Sequence, residues 1–463
     1  MLAVTELTER LDVIGRLDAA IGPIKQRRRG RSGAELLVGI AGAQLAGEDF
    51  WVGLDRQRAD TAGQQLAPVP DLAATTAAGL ARKFHDGQWA AVETGLGDVH
   101  AAALATLATV APQRAAALCE SATIDLDTTD VEVYGRHKRG VAYNHQGQRV
   151  GRPHVATWAD TATVLAADLL AGNDDPRRDA AELLYRALAA LPAAARVGRI
   201  RLRADAGYFA GQLARAALST GIEFAIGARR IAPLWRLLDG IGESDWTDAI
   251  DMPGAQVAVA DYTPDWWPAA TRLLIRRVRL NVAAGQVSAD PRARRRRTLH
   301  PDQRALPLNE LADLAEADAL YGYSFIMTNL DVSCGDRAAV AEHWYRHRTA
   351  VENVFRDAKH GAALRHLPSG HPEVNRAWMW GALLAASLAG WLHQLTAAPG
   401  PDGELRGHGV RQGQAVIATL RHRLIRVPAR LIRHAGTLTL RLPPGHNLLR
   451  EVLTRIRTLP AMP

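Results

Sequence analysis

The chain has 463 residues, 48% of them hydrophobic and 22% charged, and a formal net charge of +8. That length accommodates two or three domains with cores of their own, and the basic balance favours a polyanionic partner, nucleic acid above all. Two cysteines without CxxC spacing, Cys119 and Cys334, exclude a zinc-finger site or a disulfide framework and fit a reducing, cytoplasmic compartment. The first residues, Met1 to Arg16, carry acids and no unbroken apolar core, so they do not read as a signal peptide. Arginine richness alone is a weak signal, because a GC-rich genome produces it too. Lysine stands only at Lys25, Lys83, Lys138 and Lys359.

In chain order, residues 1–118 read as helices. Thr5 to Ile21 has helical apolar spacing, and Ser32 can cap a helix running to Ala46. The basic cluster Lys25, Arg27, Arg28, Arg29 and Arg31 lies between them. Thr75 or Thr76 can cap a short helix through Phe84, with Gln88–Leu96 next; Asp86-Gly87 at the turn gives helix–turn–helix spacing. Residues 1–118 are therefore the expected DNA-binding domain.

From about residue 120 the period changes to that of an α/β domain. Ala122–Asp127, Val150–Trp158, Ala162–Leu169, Arg199–Ala204 and Phe224–Gly227 read as strands. Pro176–Ala190, capped by Asp174 or Asp175, and Phe209–Leu218 read as helices. Alternation of this kind predicts a mixed sheet flanked by helices. Residues 235–320 break the rhythm with Trp, Pro, Asp and the strand-like Gln256–Tyr262 and Arg272–Asn281, and read as a strand-rich insertion. Within it, Arg292–Arg297 is a candidate phosphate-binding loop. The rhythm resumes with the strand Tyr323–Thr328 and a helix over Asp336–His360. The apolar run Ala377–Leu395 reads as a buried core helix rather than a membrane span. The expected division is 1–118, 119–234, 235–320, 321–398 and a basic tail, 399–463. In that tail Arg421, Arg423, Arg426, Arg430 and Arg433 stand at near-helical spacing before a strand at Thr437–Leu442.

Chemistry concentrates on the predicted helix Asp336–His360. At about 100° per residue, Tyr345, Arg348, Glu352 and Lys359 fall within a stripe roughly 60° wide. A carboxylate beside cations suits metal and phosphate. Asp125 and Asp127 share one face of the first strand by its two-residue period, and Asp205 ends a later strand. Three carboxylates at strand ends and on a packing helix can converge, and hard divalent cations take oxygen ligands. Alternation alone does not choose between Asp125 and Asp127.

Three segments occur in this order: Leu126-Asp127-Thr128-Thr129, Ala204-Asp205-Ala206-Gly207-Tyr208-Phe209, and Tyr345-x2-Arg348-x3-Glu352-x6-Lys359. The pattern resembles the DDE transposases of bacterial insertion sequences that carry the Tyr-Arg-Glu-Lys signature, over roughly residues 120–395. Leu424–Arg430 is also similar to the end of one subgroup. The resemblance implies an RNase H-like core, with Asp127, Asp205 and Glu352 as catalytic metal ligands for Mg2+, or Mn2+ as substitute. Its Asp-x-Thr pattern selects Asp127 over Asp125. Tyr345, Arg348 and Lys359 are then DNA-phosphate contacts. The implied partner is double-stranded DNA, at transposon ends and target, bound by a homodimer with no membrane involved. In relatives that cut through a hairpin an insertion-domain aromatic stacks on a flipped base; Trp246, Trp266 and Trp267 are the candidates here, with core packing as the alternative. Two other readings stay open: an RNase H-like nuclease without strand transfer, and a non-catalytic DNA-binding protein derived from a transposase.

Overall fold

The structure is a computed structural model and describes residues 1–26, 29–280, 320–399, 405–406 and 416–460. Arg27, Arg28 and the run Arg292–Arg297 lie outside the described residues. The chain divides into two compact units, one of Met1–Phe224 with Arg348–Pro463 and the other of Ala225–His347.

The first unit opens with α1 (Leu2–Arg10) and α2 (Val13–Ile21), where the sequence pattern suggests one helix. Asp12 breaks it by adopting a left-handed backbone, φ 48°, which a short polar residue tolerates better than most. Ser32 caps α3 (Gly33–Ala46) as expected: the Glu35 N–H donates to Ser32 Oγ (3.1 Å) and the Ser32 N–H to Glu35 Oε2 (2.7 Å). After α4 (Gly53–Ala59) come α5 (Ala74–Ala81) and α6 (Asp86–Val110). Neither Thr75 nor Thr76 caps α5, which starts from Ala73 without a side-chain cap. Asp86 and Gly87 form the first turn of α6 rather than a connection. That helix runs to Val110, about four turns past the expected Leu96, because Val99, His100, Ala103 and Leu107 continue its buried face. It packs on α2 within the N-terminal stretch and on α8 of the α/β part, so residues 1–118 do not form a core apart from the rest of this unit.

After α7 (Pro112–Glu120), β1 (Ser121–Thr128) forms the middle of the sheet. The two-residue β2 (Val131–Glu132) and β3 (Ala142–Tyr143) both pair with β4 (Arg149–Trp158). On one side β4 runs antiparallel to β1, and antiparallel β5 (Thr163–Ala171) comes next. The chain then crosses over through α8 (Ala180–Ala190), which begins at Asp179 rather than at Asp174 or Asp175, and α9 (Ala193–Arg196). It returns as β6 (Arg199–Ala204), parallel to β1 on its other side, and continues into α10 (Gly211–Ser219). Three antiparallel strands and then a parallel one, with helices packed on them, make the expected RNase H-like mixed α/β architecture.

The second unit begins within β7 (Glu223–Ala228) and the short α11 (Ala232–Arg236). Then β8 (Thr247–Asp248), β9 (Ala255–Ala260), β10 (Arg272–Leu280) and β11 (Leu320–Thr328) pair antiparallel, and β11 also pairs with β7. Val257, Leu274 and Ile326 form one buried face under α12 (Gly335–Arg346), which contributes Ala338 and Ala341. Glu342 on α12 is fully buried, and the Arg276 (2.7 Å) and Arg346 (3.3 Å) guanidinium groups compensate its charge.

Back in the first unit, α13 (Thr349–Arg356) runs into a π turn, Asp357–Gly361, and α14 (Pro372–Thr396) comes after it. The apolar run on α14 is buried against α3 and β5. Gly390 permits this, since a Cβ there would lie 2.7 Å from the Thr161 carbonyl oxygen. Among the described residues no helix is long and apolar enough to cross a membrane. In the tail the near-helical arginine pattern does not give one helix. A short helix, Val416–Leu420, ends in a π turn at Arg421–Ile425, and Arg430–His434 is a strand paired with Thr437–Arg441. Arg421 donates to the Gln44 and Leu45 carbonyls (both 2.8 Å) and Arg426 to that of Ala46 (3.1 Å), which caps the C-terminal end of α3.

His100 joins three elements of this core. Trp391 Nε1–H on α14 donates to His100 Nδ1 (2.8 Å), which leaves Nε2 as donor to the Val164 carbonyl on β5 (2.8 Å). This arrangement requires neutral imidazole, and burial lowers its pKa from the usual 6.5 to about 4. Above pH 6.5 both folded and unfolded chains hold the ring neutral and nothing is lost. As pH falls from 6.5 toward 4 the unfolded chain takes up a proton that the fold resists, so stability should drop by about 3 kcal/mol and then level. The difference in urea midpoint between the wild type and His100→Gln, which keeps one donor and one acceptor, should follow this slope across that window.

Candidate active site

Parallel pairing of β1 with β6 assembles the acidic end of the sheet. Leu126 lies beside Ala204 in register, so the next residue on each strand is a carboxylate: Asp127 and Asp205. Asp127 Oδ1 accepts from the Thr128 N–H at 2.7 Å. Asp205 caps a tight turn, Ala206–Tyr208, by accepting from the Gly207 N–H at 2.7 Å. A Cβ at Gly207 would stand 2.8 Å from Asp205 Oδ1, so glycine lets that carboxylate fold back on its own turn.

Asp125 shares the face of Asp127 but has a different partner. Arg203, its register neighbour on β6, grips it with two bonds of 2.7 and 2.9 Å, and both side chains are buried. Burial raises the Asp125 pKa to about 6, and the guanidinium opposes that rise. The sequence left the choice between the two acids to a resemblance; the structure ties Asp125 into a closed ion pair.

The predicted helix Asp336–His360 is not continuous. It ends at Arg346, turns through His347, restarts at Thr349 and finishes in the π turn that carries Lys359. The 60° stripe is therefore not one helix face. Tyr345 belongs to the second unit and packs with Trp344 against the cluster of Val257, Leu274 and Ile326. Arg348, Glu352 and Lys359 belong to the first unit. The Arg348 guanidinium lies 3.3 Å from Asp127 Oδ2 and 3.7 Å from Glu352 Oε1, so it bridges the strand-end acid and the helix acid. Lys359 donates to the Asp130 carbonyl at 2.8 Å, and burial lowers its pKa. Asp130, just past β1, is held in turn by Arg152 and Asn144 at 2.7 and 2.8 Å.

Electrostatically the focus is Asp127. Burial pushes its pKa up to about 7; Arg348 opposes the rise, and the charges of Asp205 and Glu352 add to it. Such mutually repelling, oxygen-only donors fit a hard divalent cation in chemistry. Among the described residues, however, no three carboxylate, histidine or cysteine side chains stand close enough together to form a ready metal site. Arg348 supplies the positive charge among these acids.

Two further groups at this end of the sheet escaped the sequence reading. Tyr208 is fully buried on the turn after Asp205, its hydroxyl has no partner, and burial with the Asp127 and Asp205 charges holds its pKa well above 10. Its ring stacks at 5.6 Å on His154, which is equally buried and has neither ring nitrogen bonded. Only the tertiary fold brings a β4 histidine under that turn; the sole sequence hint was Tyr208 next to Asp205-Ala206-Gly207. In the second unit Arg277 stacks on Trp246 at 4.2 Å, Trp267 is buried, and Trp266 is half exposed with its ring edge-on to Trp267. Packing thus accounts for Trp246 and Trp267.

Acids at the ends of neighbouring parallel strands, with an Arg–Glu helix beside them, are a donor set suited to metal and phosphate chemistry. The profile of Transposase DDE domain group 1 matches residues 3–286 and 314–461, and the chain belongs to that family. Enzymes with this domain cut DNA and generally use divalent metal ions. No curated protein matches the chain in sequence. Among solved structures the fold is similar to a piggyBac transposase synaptic complex with hairpin DNA, at 11% identity and a TM-score of 0.42, covering 90% of this chain and 78% of that one.

The two neighbouring aspartates should respond oppositely to substitution. Asp125→Ala removes the carboxylate that the buried Arg203 guanidinium grips with two bonds and should cost about 3–5 kcal/mol. Asp127 has a folded pKa above its unfolded value, so its charge destabilises the fold increasingly from about pH 4 to 7 and fully above that. Asp127→Asn should therefore stabilise the metal-free protein by ~2–4 kcal/mol at pH 8 and by little at pH 4. Urea unfolding in chelator measures both; destabilisation by Asp127→Asn at pH 8 would contradict this electrostatic account.

Proposed function

We propose that this chain is the transposase of a bacterial insertion sequence, bearing the Tyr-Arg-Glu-Lys signature. In this reading it cuts the terminal inverted repeats of its element and joins the freed ends to target DNA. The observation that carries the proposal is the Arg348 guanidinium set between Asp127 and Glu352, with Asp205 on the adjoining strand. Asp127, Asp205 and Glu352 would hold Mg2+, with Mn2+ as substitute. Bound there, two such ions supply activation of an attacking water or 3′-hydroxyl and charge stabilisation of the leaving oxygen.

The chain's own residues do the remaining work. The register of β1 and β6 sets Asp127 and Asp205 side by side, and α13 brings Glu352 with Arg348. Arg348 lowers the cost of holding several carboxylates together, and near a scissile phosphate it would also bind a non-bridging oxygen. Lys359 braces the Asp130 loop through its carbonyl, and Lys359 and Tyr345 are each proposed as a further phosphate contact. Residues 1–118 would recognise the transposon ends, and the DNA complex would be a homodimer. The proposed compartment is the bacterial cytoplasm, at the nucleoid.

A labelled transposon end tests this. Glu352→Ala should abolish cutting and joining while DNA binding persists. Arg348→Ala and Lys359→Ala should each cost about 1.5–3 kcal/mol, roughly one to two decades in rate, and leave residual activity. Manganese should replace magnesium, and calcium should allow binding with little chemistry. Full activity of Glu352→Ala, or in a chelator, would overturn the proposal; cutting without joining would favour the nuclease reading.

A further inference from the structure

Residues 133–149, which follow β2, include β3 and end on the first residue of β4, hold Arg136, Lys138, Arg139 and Arg149, with His137 and His145, and no acidic residue at all. Its backbone is firmly fixed. Arg149 donates to the Gly135 (2.7 Å) and Lys138 (2.6 Å) carbonyls, and Lys138 reaches the Leu367 carbonyl. The Asn144 side chain organises the far turn, accepting from the Gln146 (3.0 Å) and Gln148 (2.9 Å) N–H groups and donating to Asp130 (2.8 Å). Two of the basic groups are thus used internally. What the loop leaves in solvent is a different set: Tyr134 at 85% exposure, Tyr143 at 67%, and the exposed Arg136, His137 and Arg139. The Tyr134 hydroxyl donates to Glu132 (3.1 Å) and Arg139 to His371 Nδ1 (2.9 Å), contacts that orient both side chains without burying them.

Two tyrosine rings left in water cost apolar exposure, and a rigid loop that holds them there beside cations is arranged for a partner with flat apolar faces and negative charge. Unpaired nucleotides have both, because each base presents a π face and each linkage a phosphate. A fully stacked duplex offers the phosphates but hides the base faces. The loop is also contiguous with the acidic site: Asp130, which it binds through Asn144, is the residue whose carbonyl Lys359 holds.

We propose that the loop 133–149 is a docking surface for an unpaired DNA strand next to the cut end, with Tyr134 and Tyr143 stacking on bases and Arg136 and Arg139 engaging phosphates. This rests on the reading of the chain as a DNA-cutting transposase and adds to it a surface selective for opened rather than paired DNA.

Fluorescence anisotropy on the full chain tests it with two labelled probes, a duplex and the same duplex carrying an unpaired overhang. The wild-type chain should prefer the overhang probe. The double variant Tyr134→Ala, Tyr143→Ala should lose about tenfold or more in affinity for that probe and little for the duplex, since base stacking on an aromatic ring is lost at two positions. Replacing both tyrosines by phenylalanine should keep the preference. Arg136→Ala with Arg139→Ala should weaken both probes and lower the slope of log affinity against log salt by about 2. All four side chains are exposed, so urea midpoints should match the wild type. An overhang preference that survives loss of both tyrosines, or no preference in the wild type, overturns the inference while leaving the transposase reading intact. Failure of the wild type to bind either probe in a salt-dependent way would instead strike at that reading.

Discussion

The buried ion pair between Asp125 and Arg203 is the constraint on which the site depends. β1 and β6 are parallel neighbours, and a slip of one residue would move every side chain to the opposite face. A bidentate pair between register partners, closed off from water, strongly penalises such a slip, because the slipped strand would bury a carboxylate and a guanidinium apart. With the register fixed, Leu126 lies beside Ala204, and the next residues, Asp127 and Asp205, emerge together where the strands end. An apolar pair would hold the strands by burial but would not discriminate between registers as sharply.

Beyond that pair the energetics reverse. Asp127 is kept in a place where its charge is unfavourable, raised by burial and by Asp205 and Glu352, and Arg348 is the cation that answers it. Tyr208 and His154 behind it are buried with unbonded polar atoms, which folding alone would not favour. Concentrated charge and unsatisfied polarity at one end of a sheet that is otherwise well packed is the pattern of a functional site. The helix that supplies Arg348 and Glu352 is short and exposed on its Glu352 side, and it begins directly after a break at His347. The break lets residues of one sequence motif serve different units, with Tyr345 in one core and Glu352 beside another set of acids.

Arginine has two roles in this chain, and net charge does not separate them. Arg203, Arg276 and Arg152 neutralise buried or half-buried acids. Arg421 and Arg426 donate to carbonyls of the last turn of α3, and Arg149 ties a loop to itself. These groups add to a basic composition without offering charge to a polyanion. Other cations stay exposed to solvent, Arg136 and Arg139 on the acid-free segment among them.

The sequence by itself determined the local elements. Alternation placed β1, β4, β5 and β6 to within about two residues, Ser32 announced α3, and the apolar run Ala377–Leu395 pointed to a buried core helix. It also singled out Asp127, Asp205, Arg348 and Glu352, because strand ends and motif spacing are properties of the chain. It failed where the outcome depends on distant partners. The single helix drawn through Tyr345 and Lys359 breaks, since helical spacing says nothing about the two different cores its halves must join. The short helix after Asp86 became a long core helix because neighbours distant in sequence, α8 among them, cover its far turns. Arg421 and Arg426, part of an evenly spaced series in sequence, became caps on the end of α3, a helix from the opposite end of the chain. The closed pairing of Asp125 with Arg203, and the placement of Tyr208 on His154, belong to tertiary structure alone: both depend on which strand lies beside which, and pairing across the sheet is not encoded in the periodicity of any one strand.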